Sequence, residues 1–309
     1  MRIASLEPFI SDIIDFCGAS AVLVGVSDAC ELSDSSLDPS IVTTPPDQAP
    51  QYTSADDQRI SRGLASHPVD VKKLVASKPD LILTHVTDAE RSTFIPFAEE
   101  YFEAWVGRRV VVQDVSVISL ATMYEEIETV GGRVGKSREA RELAGRIKAQ
   151  LMEWADSFFD RSRGKKILLL SSVEPLRIET RWFSSFAKLF SCQLFNREPK
   201  RRDTQLQWSE IRDFRPDVIV VAPPRGGVSA SVRSLGTLEG LDGWESLPAV
   251  KRGDVFFCDG KDLYRPGPRF LKGAAVFVSA LAGLESGYIT QRDEFFKLRF
   301  LELHRHRFL

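Results

Sequence analysis

The chain has 309 residues, 43% apolar and 27% charged, with 41 basic against 43 acidic side chains and a formal net charge of −2. Such a length exceeds the size at which one core stops growing, so two lobes are expected. The balanced charge excludes the basic footprint of a nucleic-acid binder. Cys17, Cys30, Cys192 and Cys258 form no CxxC pair, which excludes a zinc knuckle and a disulfide scaffold, and no 18-residue apolar run offers direct membrane insertion.

In chain order, Arg2 to Leu6 reads as a strand closed by Glu7-Pro8, then a helix over about Ile10 to Cys17 and a second strand over Ala21 to Val26. No basic, apolar or cleavage segment precedes that first strand. A chain starting at Met1 is therefore expected in the cytoplasm, or in the periplasm if a signal peptide has been removed. Residues 33–54, rich in Ser, Asp and Pro, read as a surface loop, and Ser54 is placed to cap a helix carrying Ile60 and Leu64. The helix DVKKLVAS runs through Lys78-Pro79-Asp80 into the strand LILTHV. A strand at about Val110 to Asp114 and a helix from about Leu120 to Val130 complete the first half, and Gly131, Gly132 and Gly135 are expected to break the chain.

Ser137 to about Asp160 carries Ala140, Leu143, Ile147, Leu151, Trp154 and Phe158 at spacings of three and four, the period of one helical face. Ser137 is expected to cap it, with Glu139 near the positive end of the dipole. Roughly 36 Å long at 1.5 Å per residue, such a helix could cross a whole domain. Beyond it, KKILLLSSV reads as a buried parallel strand ending in Glu174-Pro175. A helix comes next near Phe183 to Leu189, and WSEIRDF leads through Arg215-Pro216-Asp217 into VIVVAP. Glu-Pro after a strand and helix, Pro-Asp, strand thus occur twice in the same order, which predicts two lobes of similar α/β build. A helix around Ser229 to Leu238, a strand at Val255 to Cys258 and the helix AAVFVSALAGL complete the second. The domains expected are a lobe over 1–136, a backbone helix over 137–160, a lobe over 161–285 and an amphipathic tail over 286–309.

No GxSxG elbow, GxGxxG turn or complete P-loop is present. The histidines His67, His85, His304 and His306 form no metal-ligand pattern, and none is expected to hold a metal. What stands out is a set of loop residues at strand carboxyl ends, where open α/β sheets place ligands. These are Glu7, Pro8, Asp28, Cys30 and His85 in the first lobe, and Glu174, Pro175, Arg181, Trp182, Arg225, Tyr264, Arg265 and Pro266 in the second. Proline-rigid loops with aromatics and arginines suit a large, partly flat, partly anionic ligand. The competing reading makes the prolines strand terminators and Trp182 a core residue.

RIASLEPFISDIIDFCGASAVLVGVSDAC, SKPDLIL and above all LPAVKRGDVFFCDGKDLYRPGPRFLKGA resemble helical-backbone substrate-binding proteins, which capture cobalamin, haem or iron-siderophores for ABC importers. RPGPR is similar to the closing signature N-R-P-G-P-R of the vitamin B12-binding branch and its signal-less relatives. The resemblance implies two α/β lobes joined by one rigid helix, with a ligand cleft between them. It implies non-enzymatic binding of a cobalamin-like corrinoid or other large metal chelate, with no cofactor required. Ser27 to Leu32 departs from S-H-E-C-D-Y, Tyr264 replaces the signature asparagine, and Thr180-Arg181-Trp182 replaces G-H-W. Lys72 stands where transporting members carry a glutamate that docks on the ABC permease, with Glu210 near the second such position. An enzyme using Glu7, Asp28 or Glu174 as acid or base is the alternative.

Overall fold

The computed structural model describes residues 1–178, 182–196, 206–283 and 295–298. The chain divides into two compact units, Met1–Val117 with Ala121–Arg146, and Ile118–Leu120 with Ile147–Leu309.

The first unit runs β1 (Ile3–Ser5), α1 (Pro8–Phe16), β2 (Leu23–Val26), β3 (Ser40–Ile41), α2 (Ala55–Gly63), α3 (Val71–Ala76), β4 (Leu81–Thr84), α4 (Arg91–Val106), β5 (Val111–Asp114) and α5 (Leu120–Arg133). Its sheet is wholly parallel, in the order β3-β2-β1-β4-β5. β1 and β4 are buried at every position, because helices cover both faces of such a sheet. Ala4, Leu6, Ile60, Leu74, Ile82, Phe94 and Phe102 form its core. Pro8 opens α1 where its missing N–H costs nothing, and the Ser54 hydroxyl caps α2 by accepting from the Asp57 amide at 3.0 Å.

α6 (Ser137–Ser162) passes from the first unit into the second. Ala140, Leu143, Ile147, Leu151 and Phe158 are buried as their spacing requires, with Trp154 half-buried. Ser137 is the first helical residue rather than the cap. The charge that answers the dipole is Glu139, whose carboxylate is held below its usual range first by its own backbone N–H and further by Lys136. Gly131 and Gly132 lie inside α5 and do not break it. A Cβ on Gly131 would stand 2.1 Å from the Ala140 Cβ, so this glycine lets α5 and α6 approach, while Gly135, at φ 73°, makes the turn between them.

The second unit continues with β6 (Lys166–Val173), β7 (Leu176–Ile178), α7 (Phe183–Leu189), β8 (Gln193–Leu194), α8 (Trp208–Phe214), β9 (Val218–Val221), α9 (Gly227–Arg233), α10 (Leu235–Glu239), α11 (Pro248–Arg252), β10 (Val255–Cys258), α12 (Phe270–Ala282) and β11 (Phe295–Leu298). β6, β9 and β10 are parallel, β8 joins the start of β6, and β7 and β11 run antiparallel at the two edges. Two core clusters cover this sheet: one of Leu168, Ile211, Ile219, Trp244 and Phe257, the other of edge-packed rings from α7 and α12. The helix expected over Ser229 to Leu238 is two helices, α9 and α10, with Ser234 between them. Of the expected tail, only β11 lies within the described residues.

The repeated Pro-Asp step is a repeated structure. Lys78 and Arg215 take φ 47° and 52°, each followed by proline and aspartate. Asp80 accepts the Arg2 amide at 2.7 Å and pairs with Arg108 at 2.8 Å; Asp217 accepts the Lys166 amide at 3.0 Å and pairs with Arg252 at 2.8 Å. Each aspartate ties the amino ends of three neighbouring strands. The repeated Glu-Pro differs. Glu7-Pro8 begins a helix, whereas Glu174-Pro175 is the cis turn of the β6–β7 hairpin.

Candidate functional site

Parallel pairing brings the carboxyl ends of β1, β2, β4 and β5 to one edge, where Glu7, Asp28, His85 and Asp114 lie at or just beyond the ends of their strands. Glu7 is only 6% exposed, and its carboxylate accepts the Ser66 amide at 2.7 Å. Burial pushes this carboxyl up to about 7, the Ser66 bond offsetting only part of the cost and the charge of Asp28 adding to it. Asp28 donates its amide to Thr43 Oγ1 at 2.8 Å, and its Oδ1 lies 2.6 Å from both Thr43 Oγ1 and His67 Nδ1. Burial alone would raise the Asp28 carboxyl, but the bonds from Thr43 and His67 outweigh it and hold the group below its ordinary range. Ser66 and His67, consecutive in the α2–α3 connection, are thus each bound by a carboxylate from the end of a different strand.

Elsewhere on this edge, Asp114 accepts the Val86 amide at 2.8 Å and pairs with Arg91 at 3.1 Å, with His85 Nδ1 3.7 Å away. Cys30 is half-buried in the turn closed by its own amide on the Ser27 carbonyl. All four cysteines are free thiols.

In the second unit the carboxyl ends of β6, β9 and β10 likewise share one edge. Glu174 and Pro175 are exposed there, as is Arg225 on the loop after β9. Two glycines seat the loop that carries Tyr264, Arg265 and Pro266. A Cβ on Gly260 would stand 2.3 Å from the Ala222 carbonyl oxygen, and one on Gly273, in α12, 2.3 Å from the Leu263 nitrogen. Only glycine permits either approach. Arg265 and Pro266 are buried and Tyr264 half-buried. Arg181 lies outside the described residues.

Trp182 requires a correction. It is 5% exposed, and its ring packs edge-on against Phe270 at 4.6 Å and Phe183 at 5.6 Å. The indole is packed against rings of α7 and α12, as the competing reading of Trp182 as a core residue has it. Sequence reasoning, in turn, passed over Thr43 and weighed His67 only as a metal ligand. The available signal was a Ser-His-Pro step between two helices, opposite an aspartate that ends a strand.

Among the described residues, no group of three or more His, Cys, Asp or Glu side chains is placed to hold a metal ion, and no helix is long and apolar enough to cross a membrane. Two α/β units, each presenting polar and proline-bearing loops at the carboxyl ends of parallel strands, define a class of small-molecule binding proteins. The chain matches the periplasmic binding protein family over residues 3–261 and belongs to it.

A curated relative, the uncharacterized ABC transporter substrate-binding lipoprotein YvrC of Bacillus subtilis (strain 168), is 24% identical over 212 residues, 66% of this chain and 62% of that protein's length. The fold is that of the periplasmic vitamin B12 binding protein BtuF of Vibrio cholerae, at 16% identity and TM-score 0.66 over 92% of this chain and 98% of that one. It is also that of a periplasmic heme binding protein from Pseudomonas aeruginosa, at 15% identity and TM-score 0.67 over 96% and 98%. The family is one of binding proteins, and the curated relative is named for substrate binding.

Proposed function

We propose that this chain is a substrate-binding protein of ABC-transporter type whose ligand is a large metal chelate, a cobalamin-like corrinoid first. The observation that carries the reading is the family match over residues 3–261, in a chain whose strand carboxyl ends bear Glu7, Asp28 and His85 in one unit and Arg225, Tyr264 and Arg265 in the other. Structural likeness to proteins named for vitamin B12 and heme supports a tetrapyrrole-sized ligand. In this reading Tyr264 gives ring contact, and Arg225 and Arg265 balance phosphate or carboxylate groups. Titration with hydroxocobalamin and with hemin, followed by visible absorbance and calorimetry, tests it. Saturable binding of either is expected, and no binding at high micromolar concentration overturns the reading.

Kinship with a lipoprotein favours an extracytoplasmic place over the cytoplasmic one expected from the sequence, and fractionation of the native host distinguishes them. Permease docking is part of the same proposal, but altered. Lys72 is exposed on α3, and Glu210 is engaged in the capping box of α8. A lysine there repels a permease arginine that a glutamate would attract, so K72E is expected to strengthen permease binding.

A further inference from the structure

Four cations and an exposed indole meet at the amino edge of the first unit's sheet, the end opposite Glu7, Asp28 and Asp114. We propose that this edge docks on an anionic lipid bilayer, with Trp105 seated among the headgroups and Arg2, Lys78, Arg108 and Arg109 on their phosphates. The inference is independent of the ligand reading above.

Parallel pairing sets Arg2 before β1, Lys78 before β4 and Arg108 and Arg109 before β5, at one end of three neighbouring strands. Side-chain contacts then draw them together. Arg2 Nε donates to the Lys78 carbonyl at 3.0 Å, Arg2 Nη2 to the Ser77 carbonyl at 2.7 Å, and Arg108 Nη2 to the same Lys78 carbonyl at 2.6 Å. All four cations are exposed. Asp80 balances one of them through Arg108 at 2.8 Å, and Glu103, exposed in the last turns of α4, stands near in sequence. Neither Lys78 nor Arg109 has an ion-pair partner among the described residues. The edge is therefore locally positive in a chain whose net charge is −2.

Trp105 lies in the last turn of α4, which Gly107 closes at φ 78° just ahead of Arg108. It is 66% exposed, the only exposed one of the chain's five tryptophans. Its ring stands 6.3 Å from that of Tyr101, whose hydroxyl donates to Asp57 at 2.5 Å, so the indole projects from a braced base. A tryptophan beside arginines suits the boundary layer of a bilayer, where the ring meets the acyl boundary and guanidinium groups take phosphate. Phe16, which ends α1 in the connection to β2, is 52% exposed and adds a second apolar contact on this edge. A unit resting on lipid in this way turns Glu7, Asp28 and Asp114 away from the membrane.

The experiment mixes the full chain with vesicles of phosphatidylcholine alone, and of phosphatidylcholine with about one third phosphatidylglycerol, and follows co-sedimentation and tryptophan quenching by bromine-labelled lipid. Wild type is expected to bind the anionic vesicles, to bind neutral ones at least about tenfold more weakly, and to be released by about 0.5 M salt. Each cation near such a surface strengthens binding about fivefold, so K78N combined with R109Q should weaken it about twentyfold. Asparagine tolerates the φ of 47° at Lys78, and neither side chain holds Asp80. W105F should remove most of the quenching with circular dichroism and melting temperature unchanged, and W105A should weaken binding at least about tenfold. No binding to anionic vesicles overturns the proposal, as do equal binding to neutral ones, binding unaltered in K78N/R109Q, and quenching that survives W105F. A concentration-dependent dimer that W105A dissolves, without vesicle binding, overturns it in favour of a second copy of the chain. None of these variants touches the candidate ligand residues, so every such outcome leaves the ligand reading standing.

Discussion

Glu7→Gln separates the cost of burying a charge from the need for a hydrogen-bond acceptor, because glutamine keeps an oxygen for the Ser66 amide and removes the carboxylate. The native carboxyl is raised from an ordinary 4.5 to about 7, first by burial. A raised value means that the unfolded chain releases this proton before the folded one does. The group's favourable contribution is therefore complete below pH 4.5 and is lost as pH climbs through 7. A rise of this size corresponds to about 3 kcal/mol between the two protonation states. The stability of wild type relative to E7Q should thus fall by about 3 kcal/mol between pH 4 and pH 8. Native-state hydrogen exchange of peptides spanning Ile3 to Phe16 reads this in the first unit, and a carboxyl-carbon NMR titration of Glu7 reads the ionisation directly. A difference between the two proteins that stays flat across this range would refute the reasoning.

Three other substitutions test the packing that positions the loops. Gly131→Ala should lower the melting temperature and cost about 1–3 kcal/mol despite alanine's better helix propensity, since its Cβ would overlap the Ala140 Cβ; a stabilised variant would contradict the close approach of α5 and α6. Trp182→Ala should cost about 3–5 kcal/mol in urea unfolding, as removal of a large core side chain does, and unchanged stability with lost ligand binding would return the indole to the site. Asp80→Ala and Asp217→Ala should each cost about 1–2 kcal/mol, because each leaves a strand-end amide without its acceptor and takes one of several partners from an arginine; a neutral effect at either would deny that the two latches are equivalent.

Much of the fold was legible because its signals are local. The continuous apolar run of β6, the face of α6 from Ala140 to Phe158 and the Ser54 cap each depend on residues within a few positions. α4 was not legible. Pro96 lies inside it, and the roughly 3 kcal/mol that an interior proline costs is offset only by burying Phe94, Ala98 and Phe102, which no local pattern announces. Gly131 and Gly132 mislead for the same reason, since glycine reads as a break until a second helix is seen lying against it.

The two repeated dipeptides draw the line most clearly. Pro-Asp means the same thing twice, because a positive φ and a proline set the same local turn and so aim each aspartate at a strand-end amide 78 or 51 residues away. Glu-Pro means two things, a buried helix start and an exposed hairpin turn, because the path of the chain after each one depends on which strand pairs alongside. Chain chemistry alone therefore established α/β units, their strand order in time and the family they resemble. Only tertiary packing decided that Trp182 is core, that Glu7 is buried, and that Asp28 meets a histidine 39 residues away at 2.6 Å. Burial and long-range hydrogen bonds are properties of neighbours in space, and the order of residues does not carry them.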